Sequence, residues 1–188
     1  MSKLFFYDLE TTGVKHWKNG IHQISGRIVI DCELKEEFNF KTKPNPNCII
    51  EEEALAVAGI KKEDLENYQP FNQTYKEVVN MLSKYVDKYN KKDKFHLVGY
   101  NNASFDNQFL RAFFVQNLDN YFGSWFWSDS IDVMVLASNF LREKRDSLEN
   151  FKLMTVAKYL DIEVEEEKLH DALYDIHLTQ QIFNKVAL

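Results

Sequence analysis

The sequence predicts an α/β fold built on a mixed β-sheet, and three observations carry that prediction. Short apolar or β-branched runs crowd the first part of the chain, at residues 3–8, 21–31 and 34–42. A further apolar run, residues 95–100, comes only after a stretch of helical periodicity. From there on, apolar residues recur mostly at helical spacing. Strands that come first and are later interleaved with helices fit a mixed sheet covered by helices.

Taken in order, KLFFYD (3–8) is an apolar, aromatic-rich run that reads as a buried strand ending at Asp8, broken by Thr11, Thr12 and Gly13. IHQISGRIVID (21–31) is β-branched, and LKEEFNFKT (34–42) alternates Phe38 and Phe40 with polar neighbours. Asp31, Cys32 and Glu33 form the turn of the resulting hairpin. PNPNC (44–48) is a loop by its Pro and Asn content. EEEALAV (51–57) reads as a short helix closed by Gly59.

Tyr75, Val78, Val79, Leu82, Tyr85, Val86 and Tyr89 sit at helical spacing and predict a helix over 73–90. FHLVGY (95–100) is another buried strand, and 105–117 a helix. An extended piece at 127–131 leads into helices over 131–142 and 148–160. An acidic connection, 161–169, precedes a last helix over 171–186, with Leu173, Ile176, Leu178, Ile182 and Phe183 inward. Trp125, Phe126 and Trp127 read as core.

At 188 residues the chain suits one domain spanning 1–188. Apolar content is 45%, with fifteen Phe and nine Tyr, so a sizeable core is available. Six Gly and three Pro leave little room for long disordered linkers. A net charge of −6 without a dense basic tract argues against a protein that coats duplex DNA. It leaves room for an enzyme that takes one nucleic-acid end into a metal-lined cleft. Cys32 and Cys48 lack the spacing of a zinc site or a disulfide scaffold. No stretch approaches the roughly 18 apolar residues of a membrane span. The expectation is a cytoplasmic protein with no membrane contact.

The chemistry-bearing residues lie in three separated segments. Asp8 and Glu10 stand in YDLETTG, Asp106 in YNNASFDNQFL, and His170 and Asp175 in LHDALYDIHLTQQIF. Side chains at i and i+2 of a strand share a face, so Asp8 and Glu10 aim at one point. Asp106 follows a strand at the start of a helix. Asp175 sits in an apolar surround on the last helix. Asp171 is a competing acid, read as a first-turn residue of that helix. His22 and His177 read as structural or exposed. Acids gathered in a core repel one another and resist desolvation, and divalent cations with oxygen ligands neutralise them. Four acids, two hard metals and one base predict a phosphodiester-cleaving site.

These segments resemble the three motifs of the DnaQ-like, or DEDDh, 3′-to-5′ exonucleases. The H-x4-D spacing of His170 and Asp175 matches the histidine subclass. AVAGIKKEDLENYQPFNQTYKEVV and KLMTVAKYLDIEVEEEKLHDAL are also similar to that family, so the resemblance runs from about residue 3 to residue 184. It implies an RNase H-like fold and two divalent cations, Mg2+ or Mn2+, on Asp8, Glu10, Asp106 and Asp175. It implies that His170 takes a proton from the attacking water, with a nucleoside 5′-monophosphate leaving from the 3′ end. It places the terminal nucleotide at the backbone near Leu9, Thr11 and Thr12.

Trp17 reads equally as a base-stacking residue or as packing for its own loop. Asn102 is a candidate substrate contact with a competing role in its turn. The expected partners are single-stranded nucleic-acid 3′ ends, with a polymerase or another nucleic-acid-processing protein as a further class. Single-stranded DNA or a frayed 3′ end is the expected substrate. The alternatives are an RNA-trimming enzyme of the RNase T or oligoribonuclease kind, or a non-catalytic nucleic-acid-binding module. Oligomeric state is open.

Overall fold

A computed structural model describes residues 2–169 and 171–187. Its centre is a five-stranded sheet of order β3-β2-β1-β4-β5. β1 (Lys3–Thr11), β2 (Ile21–Ile30) and β3 (Glu33–Lys41) form an antiparallel meander. β4 (His96–Gly99) joins β1 in parallel, and the two-residue β5 (Ile131–Asp132) joins β4 in parallel. The mixed α/β sheet expected from the sequence is therefore present, and its parallel half is short.

The helices are α1 (Glu52–Val57), α2 (Phe71–Ser83), α3 (Asp106–Gln116), α4 (Val133–Phe140), α5 (Leu153–Tyr159) and α6 (Ala172–Val186). Gly59, at φ +66°, follows α1 in the left-handed position expected of it.

Strand periodicity divides the core into two layers. Phe5, Tyr7 and Leu9 of β1 face a cluster with Val78 and Leu82 of α2 and Phe109, Phe113 and Phe114 of α3. This layer is rich in rings: Phe5 lies 5.3 Å from Phe38 and 5.5 Å from Phe126 between centroids. Replacing Phe5, fully buried here, with Ala would cost about 3–5 kcal/mol. Phe6 faces the other layer, with Val98, Val133, Ala137, Val156, Ile176 and Ile182. α6 packs there across β1 and β2, between them and α4 and α5. That is the side of β1 on which Asp8 and Glu10 continue the alternation.

Several boundaries differ from expectation. β1 runs three residues past Asp8, so the acids lie within the strand and not at its tip. The hairpin turn is two residues, Asp31 (φ 49°) and Cys32 (φ 68°), and Glu33 already belongs to β3. Positive φ at both positions is what a tight hairpin with right-handed strand twist requires.

α2 stops at Ser83, although the periodicity continues to Tyr89. Lys3 captures the Tyr85 carbonyl and the Asp93 carboxylate, and Asp87 caps the Tyr89 amide at 3.0 Å. The loop thus finds partners that a longer helix would forfeit. α5 starts at Leu153 instead of 148, after a 3-10 turn over 142–147. Trp125 and Phe126 are core and Trp127 is half-buried.

Candidate active site

The carboxyl ends of β1 and β4, the start of α3 and the first turn of α6 meet on one side of the sheet. Asp8 and Glu10 are half-buried between the buried residues Tyr7, Leu9 and Thr11. Asp106 is the first residue of α3 and is 5% exposed. Its carboxylate is held by its own backbone amide and by that of Leu9. Asp175 lies in the first turn of α6, half-buried.

Electrostatics shows that these acids face one another. Burial lifts Asp8 well above the usual carboxylate range, and Asp106, Glu10 and Asp175 lift it further. Glu10 is pushed up to about 7 by burial, then by Asp175 and Asp171. Asp106 is pushed up to about 7 mainly by burial, with Glu10 and Asp132 adding to it, against the two amides that pull it down. The Tyr7 hydroxyl is raised by burial and by Asp106 and Asp8. Among the described residues, no Lys or Arg is among the groups that act on Asp8, Glu10 or Asp106.

Among the described residues, no three Asp, Glu, His or Cys side chains are already drawn together closely enough to grip an ion. The acids converge electrostatically without closing into a cage. Their donors are all oxygen and their charge is unanswered by protein cations, which is the chemistry that suits hard divalent ions such as Mg2+ or Mn2+.

His170 lies outside the described residues. Asp171 is the N-cap of α6, accepting from the Tyr174 amide at 3.0 Å, and not a first-turn residue. Its charge still reaches Glu10. His22 is buried without a hydrogen-bond partner on either ring nitrogen among the described residues, and burial lowers it to about 4. His177 is exposed beside Arg27, at 3.1 Å.

The Thr11–Thr12 turn is tightly engaged with itself. Thr11 Oγ1 donates to the Gly13 carbonyl at 2.8 Å. Thr12 Oγ1 donates to the Ile49 carbonyl at 2.8 Å and accepts from the Gly20 amide at 2.9 Å. The Thr12 amide is taken by the Gly20 carbonyl at 2.8 Å.

Asn19, not singled out from the sequence, is the hub of this loop. It donates to the Ile49 carbonyl at 2.9 Å and to Glu51 at 3.1 Å, and it accepts from the Lys15 amide at 2.9 Å. A Cβ on Gly13 would stand 2.4 Å from the Asn19 side chain, so Gly is required there. Trp17 projects from the same loop, 72% exposed, with His16 edge-on to it at 5.0 Å.

Asn102 is fully buried, and its side-chain amide makes no well-formed hydrogen bond among the described residues. It approaches the Tyr7 hydroxyl, which donates instead to Asn107. The polar junction between β4 and α3 is held by a second residue that sequence reasoning passed over, Asp132. Its carboxylate accepts from the amides of Asn101 (3.0 Å) and Ala103 (3.4 Å), and it caps α4 through Met134 (3.0 Å) and Val135 (3.4 Å). An Asp just before an apolar helical run is an N-cap signature that could have identified it.

The fold resembles solved exonuclease structures. Escherichia coli Exonuclease I in complex with a dT13 oligonucleotide superposes with a TM-score of 0.78 at 21% identity, over 99% of this chain and 41% of that one. Its zinc-bound complex with single-stranded DNA gives 0.77 at 20% identity, over 100% and 40%. Exonuclease I with an SSB C-terminal peptide gives 0.73 at 19% identity, over 99% and 42%. The chain thus spans about two fifths of the length of these proteins. No curated protein matches it. The model of the RNase_T family, described as Exonuclease, matches residues 5–183. The match takes in all three acid-bearing segments and nearly the whole sheet, and on that ground the chain belongs to the DnaQ-like, RNase_T exonuclease family, with its RNase H-like fold.

Proposed function

We propose that this chain is a metal-dependent 3′-to-5′ exonuclease that releases nucleoside 5′-monophosphates from single-stranded DNA. One observation carries the reading most directly. Asp8, Glu10, Asp106 and Asp175 act on one another as like charges, at the centre of an exonuclease-family fold, with no Lys or Arg acting on the first three among the described residues. The oligonucleotide complexes of Exonuclease I support single-stranded DNA as the substrate class.

In this reading Asp8, Glu10, Asp106 and Asp175 hold two divalent cations. Bound there, the cations supply positive charge to an attacking water and a departing 3′ oxygen. The chain does the rest. Asp132 fixes the turn that delivers Asp106, and the Leu9 amide orients the Asp106 carboxylate. The 3′-terminal nucleotide lies against the Leu9–Thr12 backbone. His170, five residues before Asp175, accepts the water's proton, a task suited to an imidazole of ordinary pKa near 6.5. A polymerase partner stays an expectation of the family resemblance.

The test uses single-stranded DNA and RNA labelled at the 5′ end, with wild type and Asp8→Ala, in magnesium and in EDTA. The expected result is a DNA ladder shortening from the 3′ end, lost with EDTA and with the variant. Preference for RNA would shift the substrate to the exoribonuclease class. Binding without shortening, unchanged by Asp8→Ala, would overturn the enzyme reading in favour of a binding module.

A further inference from the structure

A cavity of about 610 Å³ opens beside the acids, lined by Tyr100, Asn101, Met134, Phe151, Met154 and Asp175. Its size falls within the range of small-molecule sites, roughly 300–1,000 Å³. The walls are mostly apolar and they are braced. The Tyr100 hydroxyl donates to the Phe151 carbonyl at 2.7 Å, tying the end of β4 to the approach to α5. Arg145 lies over the Phe151 ring, 4.3 Å from its centroid. Exposed Lys152 also borders the opening. Two aromatic rings and two thioethers form a surface that accepts a flat ring of any sequence. Arg145 and Lys152 are cations next to a centre that otherwise repels phosphate.

The position of the cavity identifies its occupant. β1 lies between β2 and β4. The Thr11–Thr12 turn belongs to the β2 side, where Thr12 bonds to Gly20. The cavity belongs to the β4 side, at Tyr100 and Asn101, and Asp175 is part of its wall. The acids lie between the two. A phosphate seated at the acids joins two nucleosides that leave it in opposite directions. If the last nucleoside lies at the turn, the one before it is carried toward the cavity.

We propose that this cavity receives the penultimate base of a single strand, the base on the 5′ side of the scissile phosphate. The proposal rests on the exonuclease reading above. Seating that base in an aromatic pocket removes it from any pair. A duplex end must therefore fray by two nucleotides, not one, before it can be cut.

The experiment is a cycle between protein and substrate. One 5′-labelled DNA strand is intact, and another carries an abasic residue at the penultimate position. Both are cleaved by wild type, Phe151→Ala and Met154→Ala, in magnesium, with thermal melts to verify folding. The abasic residue should raise the wild-type KM about tenfold, the worth of one stacked base. Phe151→Ala should raise KM for the intact strand by a similar factor, and Met154→Ala by less. On the abasic strand neither variant should add to the loss.

Effects that multiply, or a loss that appears only when the abasic residue is moved elsewhere, would overturn the subsite and leave the exonuclease reading intact. Failure of wild type to shorten the intact strand would overturn both. Should Phe151→Ala unfold, Met154→Ala decides by the same criterion.

Discussion

One oxygen of Asp132 accepts the backbone amide of Asn101 at 3.0 Å, across 31 residues of sequence, while the same oxygen caps α4. Asn101 stands at φ 60°, a left-handed conformation that few residues other than Gly adopt freely. The bond compensates for that strain and fixes the turn into α3, whose first residue is Asp106.

Asp132→Ala should therefore impair both stability and turnover. Losing the cap alone costs about 0.5–2 kcal/mol, which for a chain of this length lowers Tm by a few degrees. Turnover should fall by about ten- to a hundredfold, as for other residues that orient metal ligands. Asp132→Asn keeps one acceptor oxygen and should recover part of both. A variant that melts early yet cleaves normally would show that Asp132 serves stability alone.

The raised acids make stability fall with pH when no cation is bound. Glu10 and Asp106, each near 7 in the fold, bind protons there that the unfolded chain has already released. Their contribution is complete below about pH 4.5 and is lost as pH rises through 7. His22, lowered to about 4, works the other way between pH 4 and about 6.5. Above pH 6.5 only the acids still act. In EDTA, Tm should therefore decline from pH 6.5 to pH 8, and magnesium or manganese should recover it at pH 8 through binding to the folded state. A melting temperature that is flat over this window, or indifferent to the cation, would contradict the electrostatic account of the site.

Much of this site was legible because its signals are local. Asp8 and Glu10 share a face by strand periodicity alone, and the order of apolar runs implied the mixed sheet. Other features depend on contacts distant in sequence. Nothing near Tyr85 reveals that Lys3, 82 residues earlier, claims its carbonyl and ends α2 early. Asp132 reads locally as a cap, but its second duty toward Asn101 exists only once β4 and β5 are paired. The Phe151 cavity likewise depends on a hydrogen bond from Tyr100 across 51 residues.

Trp17 offers the sharpest separation of stability from binding. It is 72% exposed on the loop that Asn19 organises, whereas Trp125 is buried. Removing an exposed side chain that supports no core should change folding free energy by no more than about 0.5 kcal/mol. A ring that stacks on a base is worth roughly 1–3 kcal/mol, so Trp17→Ala should weaken single-strand binding by about tenfold or more. Binding measured by anisotropy with the Asp8→Ala protein, which keeps the substrate uncut, separates this loss from turnover. Tryptophan fluorescence adds a direct signature, since quenching by a bound strand should largely disappear in Trp17→Ala. Equal affinity and equal quenching in the two proteins would make Trp17 a packing residue of its own loop, and its exposed ring would then have no part in holding the strand.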